Sequence, residues 1–250
     1  MNIEVIQAVE RFHLLFLSQL GTRVDKNLYG LKGGCNLRFY WKSIRYSQDI
    51  DFDVRTIARE TLRKNVNHIL SAQGFRQILR SSKLEITGRT EPKQTDTTQR
   101  WKVHLRIEGG ATDLPTIIEF SRRKFEEDLS FGPIDPEIAR LHGLRPILAS
   151  HYGWTAAFTQ KVAALALRTQ TQARDVFDLA LLYDQGEPAA GIDIDRNILT
   201  SACENVVGIS FEQFKSQVVA YLMPEYQEHY GTQPTWDELQ DRVIHILESL

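Results

Sequence analysis

The stretch LKGGCNLRFYWKSIRYSQDIDFDV, residues 31–54, combines a glycine pair, an aromatic-rich segment and three aspartates at alternate positions. A short strand is predicted over residues 28–32, a turn at Gly33 and Gly34, and a short helix over CNLRFYW. The segment DIDFDV alternates charged and apolar residues, which is the period of a half-buried strand. The stretch therefore predicts a strand, a turn, a helix and a second, acidic strand in series.

Asp49 and Asp51 lie two residues apart in this acidic strand. Residues at this spacing point to the same face of a strand, so the two carboxylates would lie roughly 6–7 Å apart and repel each other. A divalent cation between them would remove the repulsion, and Mg²⁺ commonly uses one or two carboxylates together with substrate phosphates. The alternative is that both acids face water on an edge strand, where charges discourage aggregation.

The pair Gly33–Gly34 ends one predicted strand and opens a predicted helix. A helix N-terminus offers free backbone N–H groups and a partial positive charge, which favour a phosphate. Glycine also lets the backbone approach a phosphate closely, although most glycine pairs are simple turns. Together with the acidic strand, the pair provides an anion site beside a cation site, as a nucleoside triphosphate with bound magnesium requires.

This pattern resembles the first motif of the AbiEii-type nucleotidyltransferases, which are toxins of type IV toxin–antitoxin systems in the polymerase-β-like superfamily. The matching residues are Lys32, Gly33, Gly34, Leu37, Arg45, Ser47, Asp49 and Asp51. The resemblance implies an α+β nucleotidyltransferase domain, a helical C-terminal domain, and Mg²⁺ or Mn²⁺ as cofactor. It also implies that Asp49 and Asp51 are catalytic metal ligands and that Asp53 supports them. Nucleotide binding is implied for Lys32, Gly33, Gly34, Arg45 and Ser47.

Cys35 departs from the family pattern, in which threonine is common at this position. A cysteine that opens a helix could have a lowered pKa, or it could be a small packed thiol. We interpret Cys35 as a packed thiol.

A third carboxylate is expected on a neighbouring strand, because it could bind metal or accept the proton of an attacking hydroxyl. Glu119 is the candidate, since it lies within the apolar strand predicted over TIIEFSRRK, residues 116–124. A carboxylate buried there without a partner would be costly. A bound metal would explain Glu119, and so would a salt bridge to Arg106 or Arg122. The resemblance implies the metal-binding and catalytic roles.

A second segment, QKVAALALRTQTQARDVFDLALLYD, residues 160–184, also resembles the family. The matching residues are Lys161, Arg168, Arg174, Asp175 and Asp178. Lys161 and Arg168 lie on one stripe of a helix. The resemblance implies that Lys161 is catalytic and contacts the nucleotide triphosphate, and that Arg168, Asp175 and Asp178 are nucleotide-binding. The alternative is a set of ion pairs between helices.

Composition and charge describe an ordinary globular protein. The 250 residues are 42% apolar and 25% charged, with a net charge of −2 and two cysteines. A disulfide framework and a cysteine-based zinc site are therefore not expected. No apolar run approaches about 18 residues, so we predict a cytosolic protein without a membrane span. We predict a nucleotidyltransferase domain over residues 1–135 and a helical domain over residues 136–250.

The region between the two motifs contains cations and aromatic residues that could bind a nucleic acid. The cations are Arg76, Arg80, Lys83, Arg89, Lys93, Arg100, Lys102, Arg106, Arg122, Arg123 and Lys124, and the aromatic residues are Phe75, Trp101 and Phe125. Strands also commonly expose lysine and arginine on their water-facing side. In this region we predict strands over residues 75–87 and 100–108, joined by a polar loop over residues 88–99.

The resemblance implies an activity and its partners. Some family members add nucleotides to tRNA 3′ ends, so the substrates implied are a nucleoside triphosphate and an RNA or tRNA acceptor. The resemblance further implies a toxin with a cognate antitoxin protein. A protein hydroxyl as acceptor, and a catalytically inactive relative acting as a regulatory module, remain alternatives.

Overall fold

The computed structural model describes residues 3–122, 129–186 and 192–250. The chain forms two compact units. The first, here called the sheet unit, contains the residues up to Tyr40 together with Tyr46–Tyr152. The second, here called the helical unit, contains Trp41–Arg45 and Gly153–Leu250. The predicted α+β class is confirmed. The sheet unit continues beyond the predicted boundary at residue 135, because the strand over Leu148–Tyr152 still belongs to the sheet.

The described part of the sheet unit is built around one mixed sheet of seven strands. The strands are β1 (Tyr29–Lys32), β2 (Ile50–Val54), β3 (Leu84–Gln94), β4 (Thr98–Ile107), β5 (Leu114–Ser121), β6 (Leu129–Pro133) and β7 (Leu148–Tyr152). Their order across the sheet is β3-β4-β5-β2-β1-β7-β6. The acidic strand β2 therefore lies centrally, antiparallel to β1 and parallel to β5.

The helices of the sheet unit contribute to its hydrophobic core. They are α1 (Ile3–Gly21), α2 (Gly33–Tyr40), α3 (Arg59–Ser71), α4 (Gln73–Ser81) and α5 (Pro136–Leu141). Phe12, Phe16 and Leu20 of α1 are four residues apart, so they lie on one face of the helix and are fully buried. The ring of Phe52 on β2 stacks on that of Phe120 on β5 at 4.8 Å.

Two predictions of secondary structure in the sheet unit are wrong. Residues 75–81 belong to helix α4, because Phe75 and Leu79 are buried one helical turn apart. The predicted polar loop over residues 88–99 instead continues β3 to Gln94 and begins β4 at Thr98. These residues form strands despite their polarity, because cross-strand hydrogen bonds with β4 stabilise a segment that exposes much of its side-chain surface.

The helical unit packs a second hydrophobic core. Its helices are α6 (Trp154–Leu167), α7 (Ala173–Gln185), α8 (Arg196–Val207), α9 (Phe211–Gln217), α10 (Pro224–Tyr230) and α11 (Gln233–Glu248). Ser210 and Gln213 form a reciprocal capping box that begins α9. Phe214 of α9 stacks on Trp236 of α11 at 4.5 Å. None of the described helices has the length and apolar character needed to cross a membrane.

Candidate active site

A row of charged residues crosses the centre of the sheet. Asp51 on β2 is paired in register with Lys32 on β1 and with Glu119 on β5, and Glu119 is paired with Arg100 on β4. Directly paired residues of neighbouring strands place their side chains on the same face. The order across the face is therefore cation, two adjacent carboxylates, cation. The two carboxylates at the centre of the row form the acidic part of the candidate site.

Gly33 allows the Asp51 carboxylate to lie close to the start of helix α2. Gly33 begins α2 with a φ of +65°, a conformation that favours glycine. A Cβ atom at this position would lie 3.0 Å from Asp51 Oδ2. The first backbone groups of α2 and the Asp51 carboxylate are therefore immediate neighbours. The predicted phosphate-binding turn and the predicted metal ligand thus lie together in the sheet unit.

Gly33→Ala is expected to reduce nucleotide transfer about 100-fold, because a displacement of about 1 Å at a reacting centre has an effect of that size. The new Cβ would push on Asp51 Oδ2, and the positive φ would add strain of about 1–2 kcal/mol. Gly109→Ala is the matched control, since Gly109 has a φ of +78° and nothing within 4 Å of the new Cβ. Equal transfer rates in the two variants, measured with labelled nucleotide, would contradict this role for Gly33.

Asp49 lies one residue before β2 and is held by neighbouring main-chain and side-chain groups. The Ile117 N–H donates to Asp49 Oδ1 at 3.0 Å. The carbonyl oxygen of Asp49 accepts hydrogen bonds from Ser47 Oγ at 2.8 Å and from Cys35 Sγ at 3.3 Å. Ser47 therefore steadies the start of the acidic strand. Its predicted contact with the nucleotide stays a prediction.

The carboxylate of Asp53 contacts two side chains of the sheet unit. Its Oδ1 lies 2.5 Å from Lys32 Nζ, and its Oδ2 accepts a hydrogen bond from the Tyr152 hydroxyl at 2.7 Å. Asp53 is buried, and its supporting role toward a metal pair stays a prediction. Lys32 thus has a fixed partner within the sheet unit, and its contact with a nucleotide stays a prediction.

Glu119 forms a salt bridge to Arg100, not to either arginine named from the sequence. Arg100 Nε and Nη2 both lie 2.5 Å from Glu119 Oε2. Arg106 pairs with Asp113 instead, and Arg122 donates to Gln99 Oε1. The sequence pattern did not indicate Arg100 as the partner of Glu119, because only the sheet register shows which cation lies opposite Glu119. Within residues 3–122, 129–186 and 192–250, Oε1 of Glu119 accepts no hydrogen bond.

Asp49 and Asp51 suit a magnesium or manganese ion. Carboxylate oxygens are the hard ligands that these ions prefer, and one or two suffice when phosphates complete the coordination. A side chain at Gly33 would crowd Asp51 Oδ2, because its Cβ would lie 3.0 Å from this oxygen. No group of three histidine, cysteine, aspartate or glutamate side chains in the described residues is arranged to hold a metal. The part of Glu119 as a third ligand stays a prediction.

Cys35 is a buried thiol on α2. Burial, together with the nearby charge of Asp51, raises the pKa of this thiol well above its ordinary value. A lowered pKa would require cations or free N–H groups around the sulfur. The structure thus agrees with the interpretation of Cys35 as a packed thiol.

Four residues of the second motif form an ionic cluster with Arg45 in the helical unit, and all but Arg168 are buried: they are Lys161, Arg168, Asp175 and Asp178. Lys161 Nζ lies 2.7 Å from both Asp175 Oδ1 and Asp178 Oδ2. Arg45 donates from Nε and Nη2 to the two oxygens of Asp178 at 3.0 and 2.8 Å. Arg168 Nε lies 3.3 Å from Asp175 Oδ2. Three cations thus face two carboxylates.

Asp178 keeps its charge despite burial. Burial alone would raise the pKa of Asp178, but the charges of Arg45 and Lys161 outweigh it and lower this pKa to about 2. These contacts correspond to the ion-pair alternative considered for the second motif. Direct binding of the nucleotide by Lys161, Arg168, Asp175, Asp178 or Arg45 stays a prediction.

The predicted stacking surface for an acceptor is partly wrong. Trp101 and Phe75 are buried in the core of the sheet unit, so they cannot stack on exposed bases. Phe125, Arg123 and Lys124 lie outside the described residues. Two of the predicted cations, Lys102 on β4 and Lys93 on β3, are exposed, and their contact with an acceptor stays a prediction.

The sequence pattern did not single out three residues that lie close to the acidic strand. Tyr152 donates to Asp53, Thr116 donates to the carbonyl oxygen of Gln48, and His13 contacts Thr116. The one local signal is His13, a polar residue among the apolar residues of α1. Neither Thr116 nor Tyr152 carries a pattern that distinguishes it from an ordinary strand residue.

Solved structures share this fold at low sequence identity. JHP933 from Helicobacter pylori matches with a TM-score of 0.61 and 16% identity, over 100% of this chain and 95% of that chain. A putative nucleotidyltransferase from H. pylori gives 0.60 and 15%, over 100% and 98%. MenT4, a nucleotidyltransferase toxin from Mycobacterium tuberculosis H37Rv, gives 0.68 and 17%, over 100% and 86%.

The fold agrees with the family model, which identifies a nucleotidyltransferase. The chain belongs to the AbiEii nucleotidyl transferase toxin family of type IV toxin–antitoxin systems, whose model matches residues 15–241. A comparison with curated proteins finds no significant match.

Proposed function

We propose that this toxin is a metal-dependent enzyme that transfers a nucleoside monophosphate from a nucleoside triphosphate to the 3′ hydroxyl of an RNA such as tRNA. The observation that carries the proposal is the placement of the Asp51 carboxylate directly beside Gly33 at the start of α2. One short segment of the chain thereby offers both a cation ligand and backbone N–H groups. A cognate antitoxin protein is proposed as its partner.

The nucleotide phosphates would bind at the start of α2. The N–H groups of its first turn lack partners within the helix, and the helix dipole favours a negative charge there. Gly33 and Gly34 carry no side chain that would keep a phosphate away. Asp49 and Asp51 would hold Mg²⁺ or Mn²⁺. When bound, the ion would neutralise charge on the phosphates and on the attacking oxygen.

The reaction is an in-line displacement. The acceptor hydroxyl oxygen forms a bond to the α-phosphorus, the bond between that phosphorus and the bridging oxygen breaks, and pyrophosphate leaves with the electron pair. Glu119 would accept the proton of the hydroxyl, because Arg100 contacts only its Oε2. Electrostatic positioning would supply most of the rate.

The acceptor side of the proposal is supported by cations on the same face as Glu119. Arg100, Lys102 and Arg106 alternate along β4, so their side chains point to one face. Lys102 is exposed, and the Arg100 and Arg106 side chains are each 36% exposed. Such a strip suits the phosphate backbone of an RNA, whose binding would then weaken with salt.

Transfer of label from each of the four α-labelled nucleoside triphosphates onto total RNA tests the proposal. We expect labelled RNA from at least one triphosphate, loss of the label on RNase treatment, and no transfer when EDTA removes divalent cations. Label that survives RNase but not protease would show a protein acceptor instead. Absence of transfer from all four triphosphates to both RNA and protein would refute the proposed activity.

A further inference from the structure

A buried chain of hydrogen bonds runs beneath the acidic strand, and the reaction as proposed above does not use it. His13 on α1 is fully buried, and its Nε2 lies 2.7 Å from Thr116 Oγ1 on β5. Thr116 Oγ1 donates to the carbonyl oxygen of Gln48 at 2.8 Å. The other ring nitrogen of His13, Nδ1, lies 3.5 Å from Cys35 Sγ. Cys35 in turn donates to the carbonyl oxygen of Asp49.

The protons of this chain can be assigned. Burial lowers the pKa of His13 to about 3, so the ring is neutral and carries one N–H. Thr116 has a single hydroxyl proton, which it gives to Gln48. Nε2 of His13 must therefore be the donor to Thr116. Nδ1 carries no proton, and the single Cys35 proton is given to Asp49, so Nδ1 and Cys35 Sγ are in contact without a hydrogen bond between them. Every donor in the chain then has an acceptor.

Two successive carbonyl groups are therefore held by side chains: that of Gln48 by Thr116 and that of Asp49 by Cys35. The carboxylate of Asp49 is held at the same time by the N–H of Ile117, the residue after Thr116. Two successive residues of β5 therefore act next to each other: Thr116 holds the peptide group that precedes Asp49, and Ile117 holds the Asp49 carboxylate. Rotation of the Asp49 carboxylate would break its bond to the Ile117 N–H, while the bonds from Thr116 and Cys35 hold the backbone that carries this side chain.

We propose that His13, Thr116 and Cys35 are positioning residues that fix the direction of the Asp49 carboxylate toward the cation and the nucleotide phosphates. The inference deepens the proposed function and rests on it. Residues that orient a metal ligand commonly change metal affinity about 10- to 100-fold when they are replaced. A role limited to satisfying buried polar groups would lower stability and leave cation affinity unchanged.

The decisive variants are Thr116→Val, which keeps the shape and removes the hydroxyl, and Thr116→Ser, which keeps the hydroxyl. His142→Gln is the matched control, because His142 is a second buried histidine, hydrogen-bonded to Glu10 on the same helix α1. The probe is Mn²⁺ titrated by electron paramagnetic resonance with a non-hydrolysable nucleotide present. Thermal unfolding of each variant reports separately on stability.

Thr116→Val is expected to weaken Mn²⁺ binding about tenfold and to lower kcat, with little change in KM for the nucleotide. Thr116→Ser should restore both, and His142→Gln should leave Mn²⁺ binding unchanged. Wild-type affinity in Thr116→Val, or equal loss in the valine and serine variants, would overturn the proposal. Should Thr116→Val not fold, Cys35→Ala replaces it, with weaker Mn²⁺ binding supporting the proposal and wild-type binding overturning it.

Hydrogen exchange separates failure of this inference from failure of the proposed function. If the wild-type protein neither binds Mn²⁺ nor transfers nucleotide, the proposed function fails. The Ile117 amide, which donates to Asp49 Oδ1, then tests the positioning role alone. Faster exchange of this amide in Thr116→Val than in Thr116→Ser supports positioning, and equal exchange overturns it.

Discussion

Asp178→Asn is expected to lower the free energy of unfolding of the helical unit by about 3–5 kcal/mol. The substitution keeps the shape of the side chain and removes one of the two carboxylates that compensate the cluster. Asp178 is fully buried, and its oxygens contact Arg45 and Lys161 at 2.7 to 3.0 Å. The variant would leave these two cations buried with a single carboxylate, that of Asp175, close to Lys161. Their desolvation would then no longer be offset.

Urea unfolding followed by far-UV circular dichroism measures this effect, since the signal reports on helices. Asp184→Asn is the matched control on the same helix, α7. Asp184 is 50% exposed and pairs with Arg242, so its loss should change the free energy by less than about 1 kcal/mol. Equal unfolding midpoints for the two variants would show that the buried cluster contributes no more to stability than a surface ion pair.

Asp51→Asn is expected to lower the kcat of nucleotide transfer by at least about 1000-fold, equivalent to about 4 kcal/mol. Asp51 lies between Lys32 and Glu119 in the sheet register and against Gly33 at the start of α2. Asparagine has the same shape but only one oxygen and no charge. It would remove the charge that attracts the cation at the point where the phosphates bind.

Transfer of labelled nucleotide, with thermal unfolding alongside, measures this loss. Asp96→Asn is the control, because Asp96 belongs to the same unit and its side chain is 92% exposed. The control should transfer nucleotide at the wild-type rate, and Asp51→Asn should retain a folded sheet unit. Transfer within about tenfold of the wild-type rate in Asp51→Asn would remove Asp51 from the chemistry.

The local elements of the candidate site could be predicted from residues 31–54. The period of two in DIDFDV and the glycine pair each depend on neighbours in sequence, and the strands and helix they predicted are present. The helix α4 was mistaken for a strand because a short segment with few apolar residues fits both periods. The β3–β4 hairpin was missed because polar strands depend on partners that a local pattern does not contain.

The local sequence pattern could not predict the partners of the charged residues. Glu119 meets Arg100, which is 19 residues away in the chain, because the register of β4 with β5 places them opposite each other. Arg45 belongs to the first motif but binds Asp178, 133 residues later. His13 contributes from α1 through a contact with Thr116, which lies 103 residues further along the chain.

The amino-acid order alone determined the local elements of the candidate site: a glycine turn and an acidic strand depend on side-chain type and spacing, which are enough to indicate them. Folding decided which charge neutralises which, and which residues hold Asp49 in place. Ion pairs and buried hydrogen bonds depend on distance in space, and strand register and helix packing bring remote residues within that distance.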